Sequence, residues 1–283
     1  MIIIDYSGIA ISSVVAQKMK VEEDIIRHVI LNSIRMYNKK YRNEYGQMVI
    51  ACDSSSWRKE YFPNYKFKRK AAREEPSSID WSEVFRIMSL IREELIENFP
   101  YKVVQVDRAE ADDIIGVLSY ETQEFGCHEP VMIVSADKDF IQLQQFSNVK
   151  QYSPMLKKNV VDPNPKQYLV EHIFKGDASD GIPNVLSPDN SFSEGIRQAP
   201  MTKKKMEVWS KSIDNLRSVM DSVTYSNYIR NKKLIDLTET PSDIKQNIIN
   251  RFDEHKPAHK SKILNYLIKK RCKMLIDCVG DFY

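Results

Sequence analysis

Several carboxylates in this sequence follow directly after short apolar runs, and this placement decides what chemistry they could do. The runs lie at 2–4, 48–52, 103–106 and 131–135. The acids that follow them, together with a pair farther along the chain, are Asp5, Asp53, Glu110, Asp112, Asp113, Asp137, Asp139, Asp177 and Asp180. A single aspartate after a strand is most often a turn residue or a helix cap, so only the whole set is informative.

The apolar runs alternate with longer amphipathic patterns at 22–41, 80–98 and 110–124. Continuous apolar runs separated by helical patterns are typical of a parallel sheet covered by helices on both faces. Ligand sites in open parallel sheets lie beyond the carboxyl ends of the strands. We therefore predict an α/β fold with a central, mostly parallel sheet, and we expect the carboxylates to gather at one edge of it.

Clustered carboxylates repel one another, and some must stay protonated unless cations compensate them. Arg108 and Lys138 lie close by in sequence, but no Lys or Arg accompanies every acid. Oxygen ligands favour Mg²⁺ or Mn²⁺ over zinc, and a single Mg²⁺ takes only a few direct carboxylates. The set therefore predicts two Mg²⁺ ions, with Mn²⁺ as a possible substitute, an arrangement that recurs in phosphodiester hydrolysis.

A basic stretch follows Asp53. Between Trp57 and Arg73 there are seven basic residues and one acidic residue, and five aromatic residues are interleaved with them. Lys and Arg contact phosphates, and aromatic faces stack on unpaired bases. A solvated charge run, or a helix with a core-facing stripe, is the alternative, and Pro63 disfavours one unbroken helix. The position directly after a candidate metal ligand favours binding of a phosphate.

Composition excludes several classes of protein. The net charge of the 283 residues is +3, and no two of the eight glycines are spaced G-x-G, which removes the dinucleotide and P-loop fingerprints. The four cysteines form no C-x-x-C pair, so a zinc or disulfide scaffold is not expected. No run reaches the ~20 apolar residues that span a bilayer. We expect a soluble, cytoplasmic protein without a membrane partner.

The ordered set Asp5, Asp53, "EADD", "DKD" and "GDASDGIP" resembles the structure-specific 5′ nuclease superfamily, which contains the flap endonucleases and the polymerase-linked 5′→3′ exonucleases. The resemblance covers nearly the whole chain and is closest to the ribonuclease H branch of T-even-like bacteriophages. It implies a PIN-like nuclease domain over 1–173, with a basic helical arch at about 54–75. It also implies a smaller, all-helical, duplex-binding domain over 174–283.

The resemblance implies roles for individual residues as well. Asp5, Asp53, Glu110 and Asp112 match a first metal site, with Asp113 beside it, and Asp137, Asp139, Asp177 and Asp180 match a second. Lys66 and Arg58 match positions that neutralise the reacting phosphate, and Tyr65 is a candidate to stack on a base. Nucleic-acid contacts are expected from Arg58, Lys59, Tyr65, Lys66, Lys68, Arg69, Lys70, Arg73, Lys203, Lys204 and Lys205.

The sequence departs from the family after "GIPNV". A Gly-x-Gly hairpin that holds the duplex backbone is usual there, whereas this chain reads "LSPDNSFSEGIRQAPMTKKKMEVW". Lys203, Lys204 and Lys205 are expected to supply phosphate contacts instead, although a solvated helix start explains them equally well. The tail "MLIDCVGDFY" ends in an aromatic pair that could dock on a sliding clamp. Packing of a last helix is the stronger expectation.

These features together predict a Mg²⁺-dependent 5′→3′ exonuclease and flap endonuclease that removes RNA primers during lagging-strand replication. Its expected substrates are RNA–DNA hybrid and branched or nicked duplex DNA, and its expected partners are a sliding clamp and a single-strand-binding protein. A monomer in the cytoplasm of an infected bacterium is the expected setting. Three alternatives stay open: a nuclease for single-stranded RNA, a non-catalytic junction-binding protein, and a phosphatase built around Asp137 and Asp139.

Overall fold

The computed structural model describes residues 1–17, 21–67, 69, 79–124 and 128–283. In this part of the chain a six-stranded sheet has the order β3-β2-β1-β4-β5-β6. The strands are β1 Ile2–Asp5, β2 Met48–Ala51, β3 Lys102–Val104, β4 Val131–Val134, β5 Val149–Ser153 and β6 Lys158–Val160. The first five strands pair in parallel, and β6 pairs antiparallel with β5.

The α-helices fall between and after the strands. They are α1 Tyr6–Gln17, α2 Glu23–Tyr45, α3 Trp57–Tyr61, α4 Trp81–Asn98, α5 Ala111–Glu121, α6 Pro165–Lys175, α7 Lys203–Lys211, α8 Ser222–Ile235, α9 Ser242–Glu254, α10 Lys262–Lys269 and α11 Lys273–Ile276. Short 3-10 helices cover Asp139–Gln145, Ile213–Ser218, Leu237–Glu239 and Val279–Phe282. After β6 the described chain is helical apart from loops and one isolated bridge, which confirms the predicted fold class.

The central strands form because their residues are β-branched and fully buried on both faces of the sheet. Ile4 of β1 pairs with Ile50 on one side and with Val134 on the other. This register brings the ends of β1, β2 and β4 to one level, where Asp5, Asp53 and Asp137 leave the sheet. The four strands predicted from apolar runs are present, with ends shifted by at most two residues. The polar strands β5 and β6 were not predicted.

Three apolar clusters hold the molecule together. One lies between the sheet and α1, α2, α4 and the C-terminal helices, and a second lies on the opposite face under α5 and α9. The third is built around Phe174, Trp209 and Tyr228 and also contains Phe62 and Tyr65 from the basic stretch. Residues beyond 173 contribute to all three clusters, and the domain boundary near that residue stays a prediction. No helix among the described residues is long and apolar enough to cross a bilayer.

Candidate metal centre and nucleic-acid interface

The ends of β1, β2 and β4 open onto a cleft of about 1720 Å³. Asp5, Asp53, Glu110, Asp112 and Asp137 line its floor, and its other wall consists of residues from α1, α2 and α4. Pockets for small ligands are usually about 300–1,000 Å³. The cleft is therefore larger than a small-molecule site requires, and it has room for part of a polymer.

Asp5 is held in place by two hydrogen bonds. Its Oδ1 accepts from the Gly8 N–H at 2.8 Å, and its Oδ2 accepts from the Ser135 hydroxyl at 2.9 Å. A Cβ atom on residue 8 would lie 2.4 Å from Asp5 Oδ2, so only glycine allows the backbone to approach this closely. Burial, together with repulsion from Asp53 and Asp137, raises the pKa of Asp5 to about 6.

We call Asp5, Asp53, Asp112 and Asp137 the open side of the centre. Among the described residues, no Lys or Arg nitrogen forms an ion pair with any of these four carboxylates within 4.0 Å. Asp53 accepts a hydrogen bond from the Ala111 N–H at 2.8 Å. Burial and the nearby Asp137 raise the pKa of Asp112 well above its usual range. The open side thus holds several acids that no cation of the described residues pairs with.

We call Glu110 and Asp180 the paired side. Lys66 Nζ lies 2.5 Å from Glu110 Oε1 and 3.6 Å from Asp180 Oδ2, and Arg69 Nη2 lies 2.5 Å from Asp180 Oδ1. Burial opposes ionisation of Glu110, but Lys66 and Arg58 outweigh it and lower the pKa of Glu110 to about 2. Burial raises the pKa of Asp180 despite the two cations beside it.

Two predicted roles are corrected by the contacts of Arg58 and Asp113. Arg58 is 2% exposed, its Nε donates to the Leu234 carbonyl, and its Nη1 lies between Glu110 and Asp113. It neutralises carboxylates in the interior and is enclosed there, so we do not propose that it contacts the reacting phosphate. Asp113 is fully buried and accepts hydrogen bonds from Trp57, Arg58, Thr240 and the Glu110 N–H. With both oxygens engaged, Asp113 is a structural residue and leaves the proposed set of metal ligands.

The predicted stacking role of Tyr65 is corrected for the same reason. Its ring is 3% exposed, and its hydroxyl lies 3.0 Å from both Glu110 Oε2 and Asp180 Oδ2. Trp57 and Phe62 are buried as well, which gives the basic stretch the core-facing stripe considered as an alternative above. Tyr61 and Phe67 are 43% and 47% exposed and are the aromatic residues of the stretch that a base could reach.

The loop containing Asp177 and Asp180 is fixed by backbone contacts. Gly176 ends α6 with a φ of 67°, and a Cβ there would lie 2.4 Å from the Ile182 carbonyl. The Ile182 N–H bonds back to the Asp177 carbonyl, and the Lys66 N–H donates to the Asp180 carbonyl at 2.7 Å. The loop therefore docks on the basic stretch, and this contact brings Asp180 to Lys66.

Asp139, His172 and Asp177 form a third group, in which one atom from each residue lies within 4.8 Å of the others. His172 Nε2 is 3.3 Å from Asp139 Oδ1 and 3.6 Å from Asp177 Oδ2. Burial and repulsion from Asp137 raise the pKa of Asp139 to about 7. Sequence analysis missed His172 because it lies inside α6 and belongs to none of the acidic motifs. Its position five residues before Asp177 is a weak signal.

The remaining basic residues divide into three sets. Lys59 is exposed and lines the cleft. Lys203, Lys204 and Lys205 are exposed at the start of α7 and do not line the cleft, so their contact with nucleic acid stays a prediction. Lys68, Lys70 and Arg73 lie outside the described residues, as does much of the predicted arch.

The segment that replaces the expected Gly-x-Gly hairpin is held by side-chain amides. Asn184 Nδ2 donates to the Ala199 carbonyl, and the Asn184 N–H donates to Gln198 Oε1. At the C-terminus Phe282 is fully buried against the ring of Phe99. Packing of the last helix, the stronger of the two expectations for the tail, is thus correct for Phe282, whereas Tyr283 is half-exposed.

Comparison with known proteins decides the family. Residues 1–172 match the 5′-3′ exonuclease, N-terminal resolvase-like domain, and residues 164–282 match the T4 RNase H C-terminal domain. The chain belongs to the 5′-3′ exonuclease family. It is 32% identical to ribonuclease H of Enterobacteria phage T4 over 99% of this chain and 95% of that protein. It is 31% identical to a 5′-3′ exonuclease of Buchnera aphidicola over about half of each chain. Membership of this family makes the chain a nuclease.

Solved structures agree with the fold. The phage T5 5′-exonuclease with bound divalent zinc ions superposes with a TM-score of 0.61 at 15% identity, covering 90% of this chain and 98% of that one. The T5 D15 flap endonuclease in a pseudo-enzyme-product complex with DNA and metal ions gives a TM-score of 0.61, covering 89% and 99%. At this identity the superpositions establish the shared fold, and the metal ions and DNA are properties of those T5 proteins.

Proposed function

We propose that this nuclease is a Mg²⁺-dependent 5′→3′ exonuclease and flap endonuclease with a two-metal centre at the carboxyl edge of its sheet. The observation that carries the proposal is the open side, where Asp5, Asp53, Asp112 and Asp137 converge without a cation from the described residues. Like charges gathered in this way repel one another, and the uptake of protons or metal relieves the repulsion.

The donor set fits hard divalent ions. The open side offers carboxylate oxygens, which suit Mg²⁺ and Mn²⁺. Asp112 is the clearest case, because its carboxylate accepts no hydrogen bond from the described residues and lines the cleft. Asp139 and Asp177 would hold the second ion, with Asp180 turned toward Lys66 and Arg69. When bound, such ions supply an activated water and offset the negative charge that builds on the phosphate.

The chain's own residues orient the substrate and supply fixed charge. Lys66 lines the cleft beside Glu110, so its ammonium is in place to neutralise a phosphate oxygen in the transition state. Glu110 and Asp180 hold Lys66 in that position before substrate arrives. Arg58 acts indirectly on Lys66, because its ion pair with Glu110 holds that carboxylate in place from inside the protein. Lys59, exposed on the cleft wall, steers the sugar–phosphate backbone.

The substrate class follows from the cleft and from the relatives. A cleft of this volume with Lys59, Lys66 and Arg69 on one wall suits a nucleic-acid strand. The likeness to phage T4 ribonuclease H supports an RNA–DNA hybrid as a substrate. We propose flap DNA as a second substrate and removal of RNA primers in replication as the role. The phage relatives support the cytoplasm of an infected bacterium as the setting. Since Phe282 is buried, we do not propose it as a clamp-docking residue.

The test is cleavage of a 5′-labelled flap duplex and a matched RNA–DNA hybrid, with Mg²⁺, with EDTA and with Asp137→Asn. We expect short 5′ products with Mg²⁺ and none with EDTA or the variant. The lengths of the products separate exonuclease action from flap cutting. Binding of both substrates without cleavage in Mg²⁺ or Mn²⁺ would replace this proposal with a junction-binding protein on the same fold. Cleavage of single-stranded RNA without need for a duplex would remove the flap specificity.

A further inference from the structure

The imidazole of His172 stands between the two carboxylates that the proposed function gives to the second ion. Its Nε2 is 3.3 Å from Asp139 Oδ1 and 3.6 Å from Asp177 Oδ2. Donor atoms bound to one ion at about 2.1 Å lie roughly 3 to 4 Å apart. Both distances from Nε2 fall in this range, and the ligand atoms of the three residues lie within 4.8 Å of one another.

Asp139 and Asp177 are the polar neighbours that the Nε2 atom has among the described residues. It is shielded from solvent and has no partner with hydrogen-bond geometry among the described residues. A buried polar atom without such a partner is uncommon and calls for an explanation. Asp177 contributes to the same arrangement, because its Oδ1 accepts from the Ser179 N–H and hydroxyl, and its Oδ2 is the atom turned toward His172.

The orientation of the ring is set by the fold. Tyr168, one turn earlier on α6, stacks on His172 with ring centroids 5.7 Å apart and 18° between the planes. The loop that begins at Gly176 then brings Asp177 back to the same imidazole. His172 is thus held by its neighbours in a position that faces the candidate ion site.

We propose that His172 is a nitrogen ligand of the second ion, so that the two metal positions differ in their preference. The proposal rests on the two-metal centre of the proposed function. Imidazole favours zinc and other later transition metals, whereas carboxylates favour Mg²⁺ and related hard ions. The open side, whose donors are oxygens, prefers Mg²⁺. The position at Asp139, His172 and Asp177 prefers Mn²⁺ or a zinc-like ion over Mg²⁺. The expectation of oxygen ligands throughout then holds for the first position only.

The experiment is electron spin echo spectroscopy of Mn²⁺ bound to the full-length protein without nucleic acid. We expect modulation from one directly bound imidazole nitrogen, and we expect it to change when the histidines carry ¹⁵N. The nitrogen modulation should vanish in His172→Asn. It should persist in the control variant His28→Asn, because His28 lines the cleft from α2 but lies outside the proposed ligand set. At the second position, the Mn²⁺-over-Mg²⁺ affinity ratio should fall about tenfold or more in His172→Asn. His172→Asp, which offers only oxygen, should bind Mg²⁺ more tightly there.

Two results would overturn the inference in distinguishable ways. Bound Mn²⁺ without nitrogen modulation in the wild-type protein would make His172 a simple ion-pair partner of Asp139 and Asp177, and the proposed metal centre would stand. No binding of Mn²⁺ at millimolar concentration would overturn the ligand role and the metal centre together. The wild-type measurement decides the matter even if a variant fails to fold.

Discussion

Glu110 and Asp112 are two residues apart and line the same cleft, yet their carboxyl groups ionise in opposite ways. The pKa of Glu110 falls to about 2 because Lys66 and Arg58 outweigh the cost of its burial. The pKa of Asp112 rises well above its usual range because burial and Asp137 outweigh Lys66, and no cation of the described residues pairs with it. The difference between them is the difference between the paired and open sides of the centre.

The comparison distinguishes two kinds of carboxylate. One kind is neutralised by Lys or Arg side chains of the protein, and the other kind is available to bind a metal ion. A carboxylate with a fixed cation beside it is stable without metal, and a metal ion there would have to displace Lys66. A cluster without such cations either binds protons or binds metal. We therefore propose metal ligands on the open side and at Asp139 and Asp177, and we propose that Glu110 and Asp180 hold Lys66 and Arg69.

The largest expected effect comes from two neighbouring residues that face different ways. Asp112→Asn removes a ligand from the open side and should lower cleavage about a hundredfold or more, since metal stabilisation of the transition state is worth several kcal/mol. It should not lower the free energy of unfolding of the metal-free protein. Asp113→Asn should instead destabilise the protein by about 2–4 kcal/mol, because it breaks a buried, fully bonded pair with Arg58.

Flap cleavage and urea unfolding of both variants provide the measurement. Equal loss of stability in the two variants would contradict the distinction between an inward-facing Asp113 and a cleft-facing Asp112.

The contrast between Asp112 and Asp113 also explains a limit of sequence analysis. Glu110, Asp112 and Asp113 belong to one acidic motif, but Asp112 and Asp113 leave helix α5 in different directions. Only the packing of Trp57 and Thr240 shows which of them is enclosed.

The next largest effect tests the paired side. Lys66→Met keeps the bulk of the side chain but removes the charge beside Glu110. The variant should lose about 1–3 kcal/mol of unfolding free energy at neutral pH, because Arg58 is then the one cation of the described residues still paired with this buried carboxylate. Lys59→Met, which removes a cleft-lining charge without an ion pair among the described residues, is the control for stability and should unfold like the wild type.

The pH dependence gives a further check of Lys66→Met. The low pKa of Glu110 contributes stability that is present above its unfolded pKa near 4.5 and is lost as the pH falls toward 2. In Lys66→Met this loss should be smaller, because the pKa of Glu110 in the folded protein moves back up. Unfolding titrations between pH 5 and pH 2 measure it. An unchanged acid profile would mean that Lys66 does not set the ionisation of Glu110.

A smaller effect concerns the open side in the absence of metal. The folded protein holds protons on Asp5 and Asp139, with pKa values of about 6 and about 7, that the unfolded chain loses near pH 4. Stability should therefore fall as the pH rises from 4 to 7, since each unit of pKa shift is worth ~1.4 kcal/mol and both acids are shifted in the same direction. Mg²⁺ should restore stability at pH 8 and have little effect at pH 5. Thermal unfolding with and without Mg²⁺ tests this, and equal stabilisation at both pH values would contradict it.

The smallest effect tests how closely Asp5 is positioned. Gly8→Ala places a methyl group against the carboxylate of Asp5 and should cost about 1 kcal/mol of stability and about tenfold in Mg²⁺ affinity. Gly280→Ala is the matched control, since a Cβ there meets no atom within 4 Å. Titration with Mg²⁺ and urea unfolding of both variants measure these two effects. Tight Mg²⁺ binding in Gly8→Ala would show that the Asp5 carboxylate is free to move.

Sequence patterns predicted the buried parallel strands and the acids that follow them, because β-branched runs and strand ends are local features. They failed where the outcome depends on contacts between distant segments. The family resemblance implies site roles for Tyr65, Arg58 and Asp113, but contacts from Leu234, Thr240 and the loop at Asp180 enclose them. The sequence did not point to His172, because its possible role depends on Asp139 and Asp177, which lie near it only in the folded protein.

The most direct test of the central claim is a calorimetric titration of the protein with Mg²⁺ at pH 6.5 and pH 8, in buffers of different ionisation enthalpy. If the open side is an uncompensated acidic cluster, Mg²⁺ binding should release protons at pH 6.5 and fewer at pH 8, since metal ligands must be deprotonated. Binding without proton release at pH 6.5, or no binding at millimolar Mg²⁺, would contradict the assignment. The open side would then be neutralised by the protein itself.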